Sequence, residues 1–157
     1  MNRTKAIEEI MTPLKRELVV SSVGMISREV YAVRDRPRNF YVMGSMGASL
    51  GIGIGLALNT SEQVLVIAGD GEILMSLGTL VLLNKLRLPN LRLVILDNNC
   101  YQTTGGQRTC SDAVDFTDIC SHHCYVINVE CTKRTVGRIT IPCEEIAKRF
   151  RNVIGSQ

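Results

Sequence analysis

Short apolar runs alternate along this chain with stretches whose apolar residues recur at three- and four-residue intervals. Leu18-Val-Val20, Phe40-Tyr-Val-Met43, Val64-Leu-Val-Ile-Ala68, residues 92–97 and residues 125–130 are near-continuous apolar segments, the pattern of strands covered on both faces. Between them, residues 4–16 form an amphipathic pattern that Pro13 ends or bends. Ser27–Val33, residues 48–58, residues 72–85 and Cys143–Val153 read as further helices. Strand and helix in alternation predict an α/β fold, a doubly wound parallel sheet flanked by helices, with residues 1–157 as a single domain. Residues 98–114 carry Gly105-Gly106 and little periodicity, and read as a loop.

Composition narrows the function classes. With 45% hydrophobic and 21% charged residues the chain has the balance of an ordinary globular domain. Aromatic residues make up 4% and Trp is absent, which argues against a stacking platform for nucleic acid. The net charge of +3 is scattered. Arg34, Arg36 and Arg38 around Pro37 read as a solvated turn, with steering of an anionic substrate as the alternative. The N-terminus is charged where a secretory peptide needs an apolar core, so a cytoplasmic location is expected. Val42–Leu58 is an uncharged run of 17 residues, but its five glycines and two serines favour a buried soluble segment over a membrane span.

Three of those glycines, Gly51, Gly53 and Gly55, fall inside the expected 48–58 helix, where each costs about 0.5–1 kcal/mol relative to alanine. Something approaches the backbone closely there: a partner helix is the preferred reading, a tight helix-on-sheet contact the other. All six cysteines lie between Cys100 and Cys143 and are expected to be reduced. Cys120-Ser-His-His-Cys124 lacks the second pair of a structural zinc site and reads as a helix end running into a strand.

The candidate chemistry lies at two strand ends. Asp70, in Gly69-Asp70-Gly71, closes the 64–68 run, and Asn98-Asn99 follows the 92–97 run. Two parallel strands that each end in a hard oxygen ligand can grip one small cation at the carboxyl edge of a sheet. Mg2+ takes about six oxygens, only one or two of them from carboxylates, which leaves room for a diphosphate.

The segments Tyr41-Val-Met-Gly-Ser-Met-Gly47, Gly69-Asp-Gly-Glu-Ile-Leu-Met-Ser-Leu-Gly78 and Asp97-Asn-Asn-Cys-Tyr-Gln-Thr-Thr-Gly-Gly-Gln107 resemble the diphosphate-binding half of thiamine diphosphate enzymes. Within that superfamily the chain is most similar to the beta subunits of sulfopyruvate decarboxylases, with phosphonopyruvate decarboxylases close behind. The resemblance covers most of the chain. It implies thiamine diphosphate and Mg2+ as cofactors, the metal held by Asp70, the Asn98 side chain (Asn99 being the alternative one residue on) and the Cys100 carbonyl. Gly71 and Glu72 would offer N–H groups to the diphosphate, with Gly69 in the same turn and Tyr101 in the following loop. Gly44, Ser45 and Met46 would meet the pyrimidine end, Met46 bending the cofactor and the Gly44 carbonyl accepting from the amino group; Thr103 and Thr104 would lie near the thiazolium.

The implied activity is decarboxylation of a small anionic 2-oxo acid, sulfopyruvate or phosphonopyruvate. The implied partner is a pyrimidine-binding, alpha-type subunit that supplies the catalytic glutamate, giving a hetero-oligomer, or a homodimer when isolated. No certain catalytic residue, nucleic-acid partner or membrane partner is expected. Departures stand out: Glu72 replaces the family's usual Ser or Ala, Ser76 its Asn, and Asn99 and Gln102 its Gly, while the stretch between Ile119 and Tyr125 is short. A carboxylate beside a diphosphate is repelled unless it points away. Two other readings stay open, a 2-oxoacid:ferredoxin oxidoreductase beta-like chain and a non-catalytic cofactor-binding or regulatory subunit. A generic nucleotide-binding domain lacks the Gly-x-Gly-x-x-Gly spacing.

Overall fold

Proline cannot donate a backbone hydrogen bond, and the first helix stops short of Pro13. Helix α1 spans Arg3–Met11 rather than reaching residue 16, with Asn2 capping it by accepting from the Thr4 N–H at 2.9 Å. The computed structural model describes residues 1–120, 122–132 and 136–155. Ser121 of the 120–124 run and Lys133, Arg134 and Thr135 of the basic stretch after residue 130 lie outside the described residues.

Five parallel strands form the sheet in the order β2-β1-β3-β4-β7: β1 Leu18–Ser21, β2 Asn39–Tyr41, β3 Val64–Gly69, β4 Leu91–Asp97 and β7 Cys124–Asn128. The runs of Val, Ile and Leu are buried on both faces because alternate residues feed two separate cores. Val20, Val66, Leu93 and Ile95 pack under α3 (Ser49–Asn59), α5 (Leu77–Leu86) and the short α6 (Phe116–Ile119). Val19, Leu65, Ile67 and Leu96 pack under α1 and α2 (Met25–Val33). The last helix, α7 (Cys143–Gly155), closes against the β2 edge, Phe150 stacking on Phe40 at 5.3 Å. The doubly wound expectation holds.

Several details differ from the pattern. The expected single helix over 72–85 is two, α4 (Asp70–Met75) and α5, broken at Ser76, whose hydroxyl donates to the Glu72 carbonyl at 3.3 Å and competes with the backbone. The expected loop 98–114 contains a small hairpin of β5 (Cys100–Tyr101) and β6 (Gln107–Arg108), then a 3-10 turn at Ser111–Ala113. Of the arginines expected in a solvated turn, Arg34 is exposed but Arg36 is buried and Arg38 half-buried, and all three are bonded into the fold. Arg34 donates to the Met11 and Leu14 carbonyls at the end of α1, and buried Arg36 to the Glu17 carbonyl at 2.5 Å. Arg38 pairs with Glu62 at 3.0 Å. All three sit at the amino edge of the sheet, so they tie the chain together far from its carboxyl edge.

Gly53 settles the glycine question for its own position. A Cβ there would stand 2.2 Å from the Val66 side chain, a helix-on-sheet contact and not a partner helix. Gly51 and Gly55 face open space on the exposed side of α3. Among the described residues no helix is long and apolar enough to cross a membrane.

Cysteine chemistry also differs. Cys100 and Cys131, expected as thiols, form a disulfide with their Cα atoms 6.2 Å apart. Cys110, Cys120, Cys124 and Cys143 are free. Cys120 ends α6 and Cys124 opens β7, as expected of a helix end meeting a strand. Burial pushes the half-buried Cys124 thiol up to about 12, so it carries its proton at neutral pH.

Candidate functional site

In this strand order the chain turns back between β1 and β3, because β2 lies on one side of β1 and β3 on the other. Such reversals open a crevice at the carboxyl edge. The crevice here is a cavity of about 100 Å³ lined by Ser22 after β1, Gly69 at the end of β3 with Asp70 and Glu72 after it, and Asn98, Cys100 and Tyr101 after β4. Met46, Thr103 and Thr104 also line it. The structure thus brings most of the residues that the sequence marks to one cavity, Gly71 included, but Gly44 and Ser45 do not line it.

Asp70 is 2% exposed and accepts from the Thr109 hydroxyl at 2.5 Å. Burial raises its pKa, and nearby Asp97 raises it further, against the lowering effect of the Thr109 bond. Among the described residues no Lys or Arg forms an ion pair with Asp70, and Arg3, which lines the same cavity, is paired with Glu29. A buried carboxylate beside a second one, neither in an ion pair among the described residues, is donor chemistry that a hard divalent cation fits. Thr109 carries no recognisable signal in the sequence; the hairpin returns it to Asp70, its N–H bonding the Asn99 carbonyl at 3.1 Å.

The two asparagines part company. Asn98 lines the cavity, its side-chain oxygen accepting from the Cys100 N–H at 3.1 Å. Asn99 has a left-handed backbone (φ 54) and turns away, its amide donating to Asp97 at 3.2 Å and its oxygen accepting from Ser111 at 3.2 Å. The geometry favours Asn98 as the residue facing a ligand.

Glu72 is 1% exposed, and its carboxylate turns onto neighbouring elements. One oxygen accepts from the Ser22 hydroxyl, the other from the Ser49 N–H at 3.1 Å, at the start of α3 where a negative charge is favoured. The carboxylate therefore braces the cavity wall. The turn at residues 44–47 is held in left-handed conformations at Gly44 (φ 74), Ser45 (φ 52) and Gly47 (φ 100), leaving Met46 40% exposed above the cavity.

A second brace escaped the sequence reading. Arg3 is buried against Glu29, donating from Nη2 at 2.8 Å and from Nε at 3.1 Å, and its Nη1 donates to Gln102 at 2.5 Å. Gln102 in turn donates to the Thr132 carbonyl. With the Cys100–Cys131 bond, this ties the 98–104 loop to α1 and to the segment after β7. The Gln102 departure has this structural use, although only the fold reveals it.

Residues 20–155 match the family model described as thiamine pyrophosphate enzyme, C-terminal TPP binding domain. The chain belongs to this family. This TPP-binding domain is 50% identical over 115 residues to "Sulfopyruvate decarboxylase subunit beta" of Methanothermobacter thermautotrophicus, covering 73% of the chain and 62% of the relative. It is 40% identical over 146 residues to the protein of the same name from Methanocaldococcus jannaschii, covering 91% of the chain and 71% of the relative. It is also 40% identical over 131 residues to "Phosphonopyruvate decarboxylase" of Streptomyces viridochromogenes, covering 83% of the chain and 33% of the relative. The chain therefore spans about two thirds of the subunit-beta relatives. A thiamin diphosphate-dependent enzyme from Mycobacterium smegmatis shares the fold, with a TM-score of 0.65 at 16% identity over 83% of this chain and 31% of that one.

Proposed function

We propose that this TPP-binding domain is the beta-type subunit of a heteromeric, thiamine diphosphate-dependent 2-oxo acid decarboxylase acting on sulfopyruvate. The observation that carries the proposal is the convergence of Asp70, Asn98, Cys100 and Glu72 on one crevice in a chain 50% identical to a sulfopyruvate decarboxylase subunit beta. Phosphonopyruvate is the second reading, favoured by the identity to the Streptomyces protein.

Asp70, the Asn98 side chain and the Cys100 carbonyl would hold Mg2+, and the N–H groups of Gly71 and Glu72 would hold the diphosphate. The coenzyme, when bound, supplies the electron sink for loss of CO2. This chain's own part is to bind and orient. Asp70 and Asn98 fix the metal end, Met46 and Gly44 set the pyrimidine end, and Thr103 and Thr104 border the thiazolium. The bond from Glu72 to Ser22 and Ser49 keeps its charge off the phosphate oxygens, which favours an active subunit over a non-catalytic one.

A partner subunit is part of the proposal. A cavity of about 100 Å³ is small beside the 300–1,000 Å³ typical of a drug-sized ligand, so the rest of the coenzyme's surroundings comes from another chain. Met46, Leu58, Met75, Val81 and Leu82 are at least 40% exposed, and Gly51 and Gly55 lie open beside them on α3. These residues would seat the pyrimidine-binding subunit, which supplies the catalytic glutamate. A cytoplasmic setting goes with this reading, and there the Cys100–Cys131 bond would be open to reduction.

The test is reconstitution. The chain purified alone should show no sulfopyruvate decarboxylation, and addition of the pyrimidine-binding subunit should restore it. Full activity of the isolated chain would overturn the heteromeric reading.

A further inference from the structure

A second cavity, of about 320 Å³, lies beside the cofactor crevice at the carboxyl end of β2. Its charged lining consists of Arg28, on α2, and Arg138, after β7; Val42, Met43 and Ile139 make its walls apolar. No carboxylate lines it. The Ser27 hydroxyl, also at this cavity, is turned to the Ser21 hydroxyl at 3.0 Å and to the Ser22 carbonyl.

Most of the chain's other described arginines are tied into the fold. Arg3, Arg34, Arg36, Arg38 and Arg149 each bond a carboxylate or a carbonyl. Among the described residues, Arg28 and Arg138 have no ion pair and no side-chain hydrogen bond. Arg87, Arg92 and Arg151 are also without a side-chain bond; what sets Arg28 and Arg138 apart is the cavity they share. Half-buried Arg28 and exposed Arg138 border one cavity that no carboxylate lines, an arrangement that an anion can bridge. The cavity also shares a wall with the cofactor crevice. Gly24 lines it, and a Cβ on Gly24 would stand 3.4 Å from the Thr103 methyl, Thr103 lining the crevice.

We propose that this cavity receives the tetrahedral oxyanion tail, sulfonate or phosphonate, of the 2-oxo acid, with Arg28 and Arg138 as its ligands. The proposal rests on the decarboxylase reading above and adds the residues that select its substrate. Guanidinium forks match such oxygens in pairs, and the space exceeds a water's share of about 30 Å³ several-fold. Val42 and Met43 then face the tail's methylene carbon, and the oxo acid end reaches past Gly24 toward Thr103.

The test uses the assembled complex with its partner subunit, titrated calorimetrically with sulfoacetate, phosphonoacetate and acetate. The wild type should bind the two tailed anions. Arg28→Gln and Arg138→Gln should each weaken that binding about 10–100-fold, the range for a lost charge-assisted bond, and leave acetate unchanged. Kinetically the same variants should raise KM for sulfopyruvate or phosphonopyruvate, with kcat and thiamine diphosphate affinity unchanged. A larger loss for one tail than for the other identifies which oxyanion the site selects. Undiminished sulfoacetate and phosphonoacetate binding by the double variant, with coenzyme binding intact, would overturn this proposal alone. Failure of the wild-type complex to bind thiamine diphosphate would overturn the decarboxylase reading and this proposal with it.

Discussion

The ring of Tyr101 occupies the space that a side chain on Gly71 would need: a Cβ at Gly71 would stand 2.4 Å from Tyr101 Cε1 and 3.2 Å from the Thr109 methyl. Gly71 is therefore required by close approach, and the approach presses the hairpin onto the turn that carries Asp70. Gly71→Ala should displace Tyr101, lower stability by about 1–3 kcal/mol and weaken thiamine diphosphate binding. Gly78, in α5 with nothing within 4 Å of its would-be Cβ, provides the contrast. Gly78→Ala should stabilise by up to about 1 kcal/mol. Thermal unfolding with and without the coenzyme checks both, and equal behaviour of the two variants would contradict the account.

Glu72 links three pieces of the crevice wall through Ser22, Ser49 and its own helix. Glu72→Ala strands two buried donors, so unfolding in urea should reveal a loss of about 2–4 kcal/mol. Glu72→Gln keeps the shape and one acceptor, and should lose less. A neutral Glu72→Ala would mean that the carboxylate does not brace the wall.

These cases show what the sequence could and could not reveal. The strands were legible because the Val, Ile and Leu runs are buried on both faces, and that burial has no other economical explanation. Asp70 and Asn98 were legible as residues at the sheet's carboxyl edge because each follows such a run. The resemblance preferred Asn98 and kept Asn99 as the alternative; that Asn98 and not Asn99 lines the crevice goes with the φ of 54 at Asn99 and its contact with Ser111, twelve residues away. The hairpin was illegible: its strands are two residues each, and Gln107-Arg108 is exposed, so no alternation marks it. Nor does residue order disclose a disulfide 31 residues long in separation, or an Arg3–Glu29–Gln102 chain assembled from three distant elements.

Cys131 offers a direct test of that tether. Closing a loop of 31 residues is worth about 3–4 kcal/mol in the chain-entropy treatment, an upper range. Cys131→Ser, or reduction of the wild type, should lower the melting temperature and loosen the 98–104 loop, read as faster amide exchange there. Unchanged exchange at Tyr101 and Gln102 on reduction would show that the bond does not hold the loop.

Acid stability should depend on Asp35. Burial raises its pKa, but the bidentate bond from Arg149 and the Tyr41 hydroxyl at 2.7 Å outweigh it and hold the carboxyl below its ordinary 3.8. A depressed folded-state value means stability that is present above the ordinary value and lost as pH falls through the folded one. Urea unfolding as a function of pH should therefore show a decline below about pH 4 that Asp35→Asn reduces. An identical acid limb in wild type and variant would remove Asp35 from the account.

The central claim is that Asp70 and Asn98, and not Asn99, hold the cation that anchors the coenzyme's diphosphate. Calorimetric titration of the chain with its partner subunit, using thiamine diphosphate with and without Mg2+, tests it most directly. Wild type and Asn99→Ala should bind the coenzyme in a Mg2+-dependent manner, while Asp70→Asn and Asn98→Ala should lose that dependence. Mg2+-dependent binding that survives in both Asp70→Asn and Asn98→Ala would contradict the claim.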